Sequence, residues 1–229
     1  MTMFFLRGSA AAIALVAWAT AAPAQAQDQD TQLWTTTTAT FDLGDETSFS
    51  AQFVARFSDA AGGVSELQMQ ADVETEAREG VRVGAGYSYV PRYDQERLTS
   101  REHRLRQQVS VRLAEVLGGR VDGRLRLEER WRDDKDDMML RLRGRIMWTR
   151  PIGPDELAVR VWHESFVQLN DTDWGGAARY SRMRNQVSLR RKLSEVMTGE
   201  LGYLSQYSIA EAGPDELVHA LTFALSFDF

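Results

Sequence analysis

The sequence predicts an all-β protein, a closed antiparallel transmembrane β-barrel, and three observations carry that expectation. In the C-terminal segment, Leu217, His219, Leu221, Phe223, Leu225, Phe227 and Phe229 share one strand face, while Val218, Ala220, Thr222, Ala224, Ser226 and Asp228 share the other. A large apolar face opposite a small or polar face suits a strand set between lipid and lumen. In the middle of the chain Arg alternates with Leu, as in Arg124-Leu125-Arg126-Leu127 and Arg141-Leu142-Arg143. A helix cannot separate these sets, because i and i+2 lie about 200° apart on it. The front carries an export signal. Arg7 precedes an apolar run, Ala10 to Ala22, then Pro23 and the Ala24-Gln25-Ala26 cleavage pattern. A cleaved signal peptide over 1–26 and one barrel domain over 27–229 are expected.

Composition agrees. There is no Cys, and strand closure can do the stapling that disulfides do elsewhere. No window after the leader is apolar enough for a membrane helix. The negative mean hydropathy does not exclude a barrel, since every second residue faces the lumen. A formal net charge of −6 with no basic tail argues against a nucleic-acid partner.

Eleven segments read as strands: 32–42, 47–57, 64–78, 81–90, 103–113, 120–132, 138–149, 157–168, 180–192, 197–208 and 217–229. Most are longer than the ~5–6 residues of a typical globular strand and suit a tilted membrane strand. Connections at Leu43–Glu46, Glu79–Gly80, Ala114–Gly119, Arg150–Glu156 and Leu193–Val196 are short. Those at Ser58–Gly63, Pro91–Glu102, Asp133–Asp137, Leu169–Arg179 and Ile209–Glu216 are longer or more acidic, and are assigned to the outer side. Thr35–Thr40 is the weakest segment, because its alternation is poor. Bacterial single-chain barrels have an even strand number, so twelve strands are expected, with ten the alternative. The terminal Phe229 resembles the C-terminal signal of outer-membrane barrels. It points to the outer membrane of a Gram-negative bacterium, with membrane lipid, lipopolysaccharide and the barrel assembly machinery as partners. Oligomeric state is not legible.

Parity assigns an Arg-rich face to the lumen: Arg104, Arg106, Arg124, Arg126, Glu128, Arg130, Arg141, Arg143, Arg145, Arg160, Glu164 and Arg184. Each Arg at the membrane midplane would cost roughly 2–4 kcal/mol if it faced lipid. The leading reading is a structural charge ladder filling a narrow or blocked lumen. An anion-selective channel is the alternative. Tyr87, Trp131, Trp148, Tyr203, Tyr207, Phe227 and Phe229 fall on the opposite face as a membrane girdle.

Along the chain the motifs run in the order Trp34, Gly84-Ala85-Gly86-Tyr87, Glu102-His103-Arg104, Gln107-Gln108, Arg124 through Arg130, Arg141-Leu142-Arg143, Glu164-Ser165-Phe166-Val167, Arg184-Asn185-Gln186 and Gly202-Tyr203-Leu204-Ser205-Gln206. In that order the chain resembles a proteobacterial outer-membrane family, domain of unknown function 2490. It implies an outer-membrane barrel and supplies no activity.

Catalytic candidates are few. His163 and Ser165 project from one side of a strand and invite comparison with a Ser/His hydrolase acting on lipid. No orienting third group accompanies them in sequence, so the chain is not expected to be an enzyme. His103 beside Glu102 reads as a cap or ion pair. No metal-ligand spacing or cofactor motif is present. The loop acids Asp133, Asp134, Asp136, Asp137, Asp171, Asp173, Asp215 and Glu216 read as a solvated face, with divalent-cation binding as the alternative.

Overall fold

A computed structural model describes residues 28–154 and 156–229; the leader peptide expected over 1–26 lies outside the described residues. Eleven strands follow one another: β1 (Asp28–Asp42), β2 (Thr47–Ser58), β3 (Gly63–Arg78), β4 (Val81–Asp94), β5 (Arg97–Val116), β6 (Gly119–Arg132), β7 (Met139–Pro151), β8 (Ala158–Gln168), β9 (Arg179–Lys192), β10 (Met197–Ser208) and β11 (Glu216–Asp228). Each pairs antiparallel with the next, and β11 returns to β1 to close the barrel.

The expectation of twelve strands is therefore corrected to eleven among the described residues. The correction extends to topology. Each hairpin reverses the chain, so in an odd-numbered meander the first and last strands run the same way. They close as a parallel ladder from Asp28 opposite Glu216 to Thr40 opposite Asp228. The Thr-rich run judged weakest is part of this closing strand. Thr is β-branched and suits a pleated surface on either face. Its even use on both faces erased the alternation without weakening the strand.

A second correction concerns Pro91–Glu102, expected as a long loop. β4 and β5 continue through it as a hairpin, turning on Gln95 and Glu96 at φ 46° and 63°. Two successive positive φ angles make the mirror-image turn whose twist matches paired strands. The remaining longer connections, 133–138, 169–178 and 209–215, lie at the end where β1 begins. The C-terminus lies at the opposite end.

Every strand directs at least one large apolar side chain outward. Leu33, Phe53, Met69, Val83, Leu105, Leu125, Ile146, Val161, Leu189, Leu201 and Phe223 supply one per strand, each 39 to 58% exposed. Most buried strand side chains face the lumen, where Trp34, Leu204, Val218 and Ala220 form a small apolar cluster with Trp162 against it.

Phe229 fastens the parallel seam. Its N–H donates to the Thr40 carbonyl at 2.9 Å, and its carbonyl accepts from the Asp42 N–H at 3.3 Å. Its ring stacks on Phe41 with centroids 5.3 Å apart. Deleting Phe229 should reduce unfolding free energy by roughly 1.5–4.5 kcal/mol, the sum expected for an aromatic pair and two backbone bonds. Denaturant unfolding followed by tryptophan fluorescence measures this; an unchanged midpoint would show that the seam closes without it.

Candidate functional site

Register builds the lumen. Antiparallel pairing sets Glu128 of β6 opposite Arg106 of β5 and Arg141 of β7, the spacing at which cross-strand charges interact. Glu128 is 0% exposed, Glu102 1%, Glu164 2% and Glu66 7%. Each carboxylate is held by at least two guanidinium groups. Arg141 Nε donates to Glu128 at 2.8 Å and Arg143 Nη1 at 2.7 Å. Arg143 Nη2 reaches Glu164 at 2.7 Å, where Arg124 donates at 2.7 Å. Arg104 forks onto Glu102 at 2.7 and 3.2 Å, joined by Arg130 and by Arg92 at 3.3 Å. Arg92 also pairs with Glu66 at 3.0 Å, beside Arg56 at 2.7 Å. The result is two ion-pair clusters, one on β2 to β6 joined by Arg92 between Glu66 and Glu102, the other on β6 to β8 joined by Arg143 between Glu128 and Glu164. A planar fork with several donors is suited to that bridging.

Sequence parity located most of this network but missed Glu66, Glu102, Arg56 and Arg92. Glu102 and Arg92 lay in the segment expected to be a loop. Glu66 was legible, since it continues the polar alternation Gln68, Gln70, Asp72, Glu74.

The surplus Arg residues are accommodated differently. Among the described residues Arg126, Arg182 and Arg184 have no carboxylate at ion-pair distance. Arg126 Nε donates to Gln108 at 2.7 Å, Arg184 Nε to Gln206 at 2.7 Å and Arg182 Nε to Ser208 at 3.1 Å. Two guanidinium groups lie over the Trp34 ring, Arg56 at 3.9 Å from its centroid and Arg184 at 4.9 Å. Phe166 offers its ring to Arg143 at 4.7 Å and to Arg184 at 4.8 Å. Arg160 pairs with Glu200 at 2.5 Å. A cavity of about 420 Å³ remains, with Arg126 and Arg145 in its wall. Lumen residues toward the longer loops are buried, as at Ser88, Glu102, Glu128 and Val218. At the other end Arg112, Arg120 and Asp228 are exposed. The lumen side chains are thus most deeply buried in the half toward the longer loops, the packed half, and more exposed toward the C-terminal end.

Loops cover the packed end. Trp174 donates its indole N–H to the Asp137 carbonyl at 2.9 Å and lies over Arg130 at 5.0 Å. The Gly176 carbonyl accepts from Gln168 Nε2 at 2.8 Å. The acids here serve the loops: Asp171 accepts from the Ala178 N–H at 2.7 Å, and Asp137 from the Asp173 N–H at 2.8 Å. The backbone N–H and guanidinium of Arg101 hold Asp133 below the usual carboxylate range. The Tyr207 hydroxyl and the Ala210 N–H do the same for Asp215. No group of three or more possible metal ligands gathers among the described residues.

On the exterior, Tyr87 and Tyr203 point outward and each hydroxyl bonds a His Nδ1, of His103 and His219, at 2.5 Å. The cap or ion-pair role expected of His103 is corrected: its ring packs outward between Tyr87 and Tyr89, while Glu102 turns into the lumen. Trp131 also lies on this face, beside His103. Trp148, donating to the Val116 carbonyl at 2.9 Å, lies toward the C-terminal end with Phe227 and Phe229.

His163 is bonded differently. Nε2 lies 2.9 Å from Ser165 Oγ, and Nδ1 lies 2.8 Å from Asn185 Oδ1. The Tyr180 hydroxyl is 3.2 Å from the same Ser165 oxygen. The third group held to be missing is therefore present, contributed by β9, where Asn185 pairs directly with His163. No sequence motif flagged it, because its partner lies twenty-two residues away. Beside this trio runs an exterior groove of about 400 Å³, walled by Val109, Val111, Leu125 and Ile146 and floored by Gly123 and Gly144.

Comparison with known proteins adds kinship. An uncharacterized protein of Methylorubrum extorquens is 32% identical over 195 residues, covering 84% of this chain and 85% of the relative. No solved structure matches. Residues 31–217, from early β1 to the start of β11, match the family described as protein of unknown function (DUF2490). The chain belongs to that family, and its barrel, with the ordered motifs on consecutive strands, is the fold of this member.

Proposed function

We propose that the chain is an outer-membrane barrel whose lumen is closed by its own charge network, so that it serves as a structural membrane element and not as an open conduit. The observation that carries this reading is the pairing of an apolar exterior with an ionic interior. All eleven strands expose large apolar side chains, while the buried groups include Glu102, Arg104, Arg106, Glu128, Arg130 and Glu164. A water-soluble protein arranges these the other way round, and an exposed apolar belt of this extent needs a cover. Lipid is the cover that meets every side of a closed barrel. In this reading Tyr87 and Tyr203 lie near one interface, Trp148 near the other, and lipopolysaccharide meets the longer loops. The barrel assembly machinery reads the terminal strand ending in Phe229.

Two measurements on the folded protein test this. Single cysteines at Leu125, Leu127, Leu142 and Val161 should resist a membrane-impermeant thiol reagent in vesicles, and equal labelling with soluble-loop controls would exclude the membrane placement. In planar bilayers the barrel should give no steady current, because Glu128, Glu164 and their Arg partners fill the packed half. A sustained anion-selective current would instead favour an Arg-lined path, for which Arg126 and Arg145 at the cavity wall are the specific support.

A further inference from the structure

We propose that His163, Ser165 and Asn185 form an acyl-hydrolase site on the barrel exterior whose substrate is a lipid ester. It rests on the exterior belt facing lipid. The bonds among the three side chains are ordered as a nucleophile, its base and the group that orients the base. Asn185 Oδ1 accepts the His163 Nδ1–H at 2.8 Å, which leaves the lone pair on Nε2, 2.9 Å from Ser165 Oγ. That tautomer can take the serine proton. Tyr180, 3.2 Å from Oγ, supplies an O–H on the same side. His103 and His219, also outward, each bond a Tyr hydroxyl at Nδ1, and among the described residues neither is hydrogen-bonded to a serine, although Ser205 pairs with His219 across the strands. The arrangement around His163 is thus not the general condition of an exterior His on this barrel.

The groove identifies the substrate. Gly144 pairs directly with Ser165, and a side chain placed there would meet nothing within 4 Å. Leu125, Ile146, Val109 and Val111 make the groove beside it apolar, the chemistry that an acyl chain would take. An acyl chain in the groove brings its ester carbonyl to the serine. Ser165 Oγ attacks that carbonyl carbon while His163 Nε2 accepts the hydroxyl proton, and the Tyr180 O–H donates to the oxyanion. The C–O bond to the alcohol breaks, and the alcohol leaves with the proton from His163. Water, deprotonated by His163, then releases the fatty acid and restores the serine.

The folded full-length barrel in mixed micelles of detergent and phosphatidylcholine should release fatty acid, and a fluorophosphonate serine probe should label it. Ser165→Ala should abolish labelling and reduce release by about 10³-fold or more. Tyr180→Phe should lower kcat by about 10²-fold. Asn185→Ala should lower kcat by about tenfold with Asn185→Asp restoring part of it, a rescue that mere loss of packing would not give. Gly144→Val, whose Cβ enters open space, puts bulk into the groove and should depress long-chain relative to short-chain ester hydrolysis. Wild-type barrel, verified as folded by its heat-modifiable gel shift, that releases no fatty acid and takes no label overturns the proposal. So does labelling that survives Ser165→Ala, or cleavage confined to soluble short-chain esters. Thiol labelling at Leu125 and Val161 reports the membrane placement separately, so the two readings can fail independently.

Discussion

Replacing Glu128 by Gln lowers the unfolding free energy by about 3–5 kcal/mol, the cost of breaking a buried ion pair from one side. Glu128 is fully buried and accepts from both Arg141 and Arg143. The amide keeps the size of the carboxylate but presents an NH₂ toward a guanidinium. Arg143 retains Glu164, whereas Arg141 has no second carboxylate at ion-pair distance among the described residues and bears most of the loss. The sign reverses if both partners go. In Glu128→Leu with Arg141→Met no buried charge is orphaned, and the double variant should recover much of the deficit. At the rim, Asp134→Asn beside Arg132 should cost only about 0–1 kcal/mol, because water screens that pair. Urea unfolding in detergent micelles measures all three. A Glu128→Gln barrel as stable as wild type would show that the network is solvated and not a structural ladder.

The strands themselves were legible because a strand with unlike faces alternates with period two and each strand here is long enough to display it. What the pattern could not supply was how strands meet. The even-number expectation failed because it is a rule about closure, and closure joins β1 to β11 across almost the whole chain. The Thr run gave no parity, so nothing local indicated that it pairs parallel with Glu216–Asp228. Pro91 and the charges after it concealed a hairpin that turns on two non-glycine residues at positive φ, and the hidden strand ends took Arg92 and Glu102 with them. The same limit applies to the exterior trio. His163 and Ser165 are two apart and visible, whereas Asn185 joins them only through the β8–β9 register. Residue type and face are properties of one strand, and a site assembled from two or three strands requires register.

Trp34 marks where the lumen changes from carboxylate-paired to ring-paired Arg, and Trp34→Ala should destabilise the barrel by about 3–5 kcal/mol. Two losses combine in that figure. The indole is buried and packs with Leu204, Val218 and Ala220, so truncation leaves a void between β1 and β10. It also removes the ring that both Arg56 and Arg184 contact. Arg56 retains Glu66 at 2.7 Å, but among the described residues Arg184 keeps only Gln206 and the Phe166 ring. A desolvated cation–π contact contributes about 2 kcal/mol or more, so much of the effect should belong to Arg184. A graded series separates the two losses. Trp34→Phe keeps a ring face and part of the volume, whereas Trp34→Leu keeps apolar volume and no face. The expected order of stability is wild type, then Trp34→Phe, then Trp34→Leu, then Trp34→Ala. Adding Arg184→Met should close most of the gap between the Phe and Leu variants, because the cation that needed the ring is gone. Equal stability of Trp34→Phe and Trp34→Leu would remove the ring face from the account, and Arg184 would then be held by Gln206 and Phe166 alone.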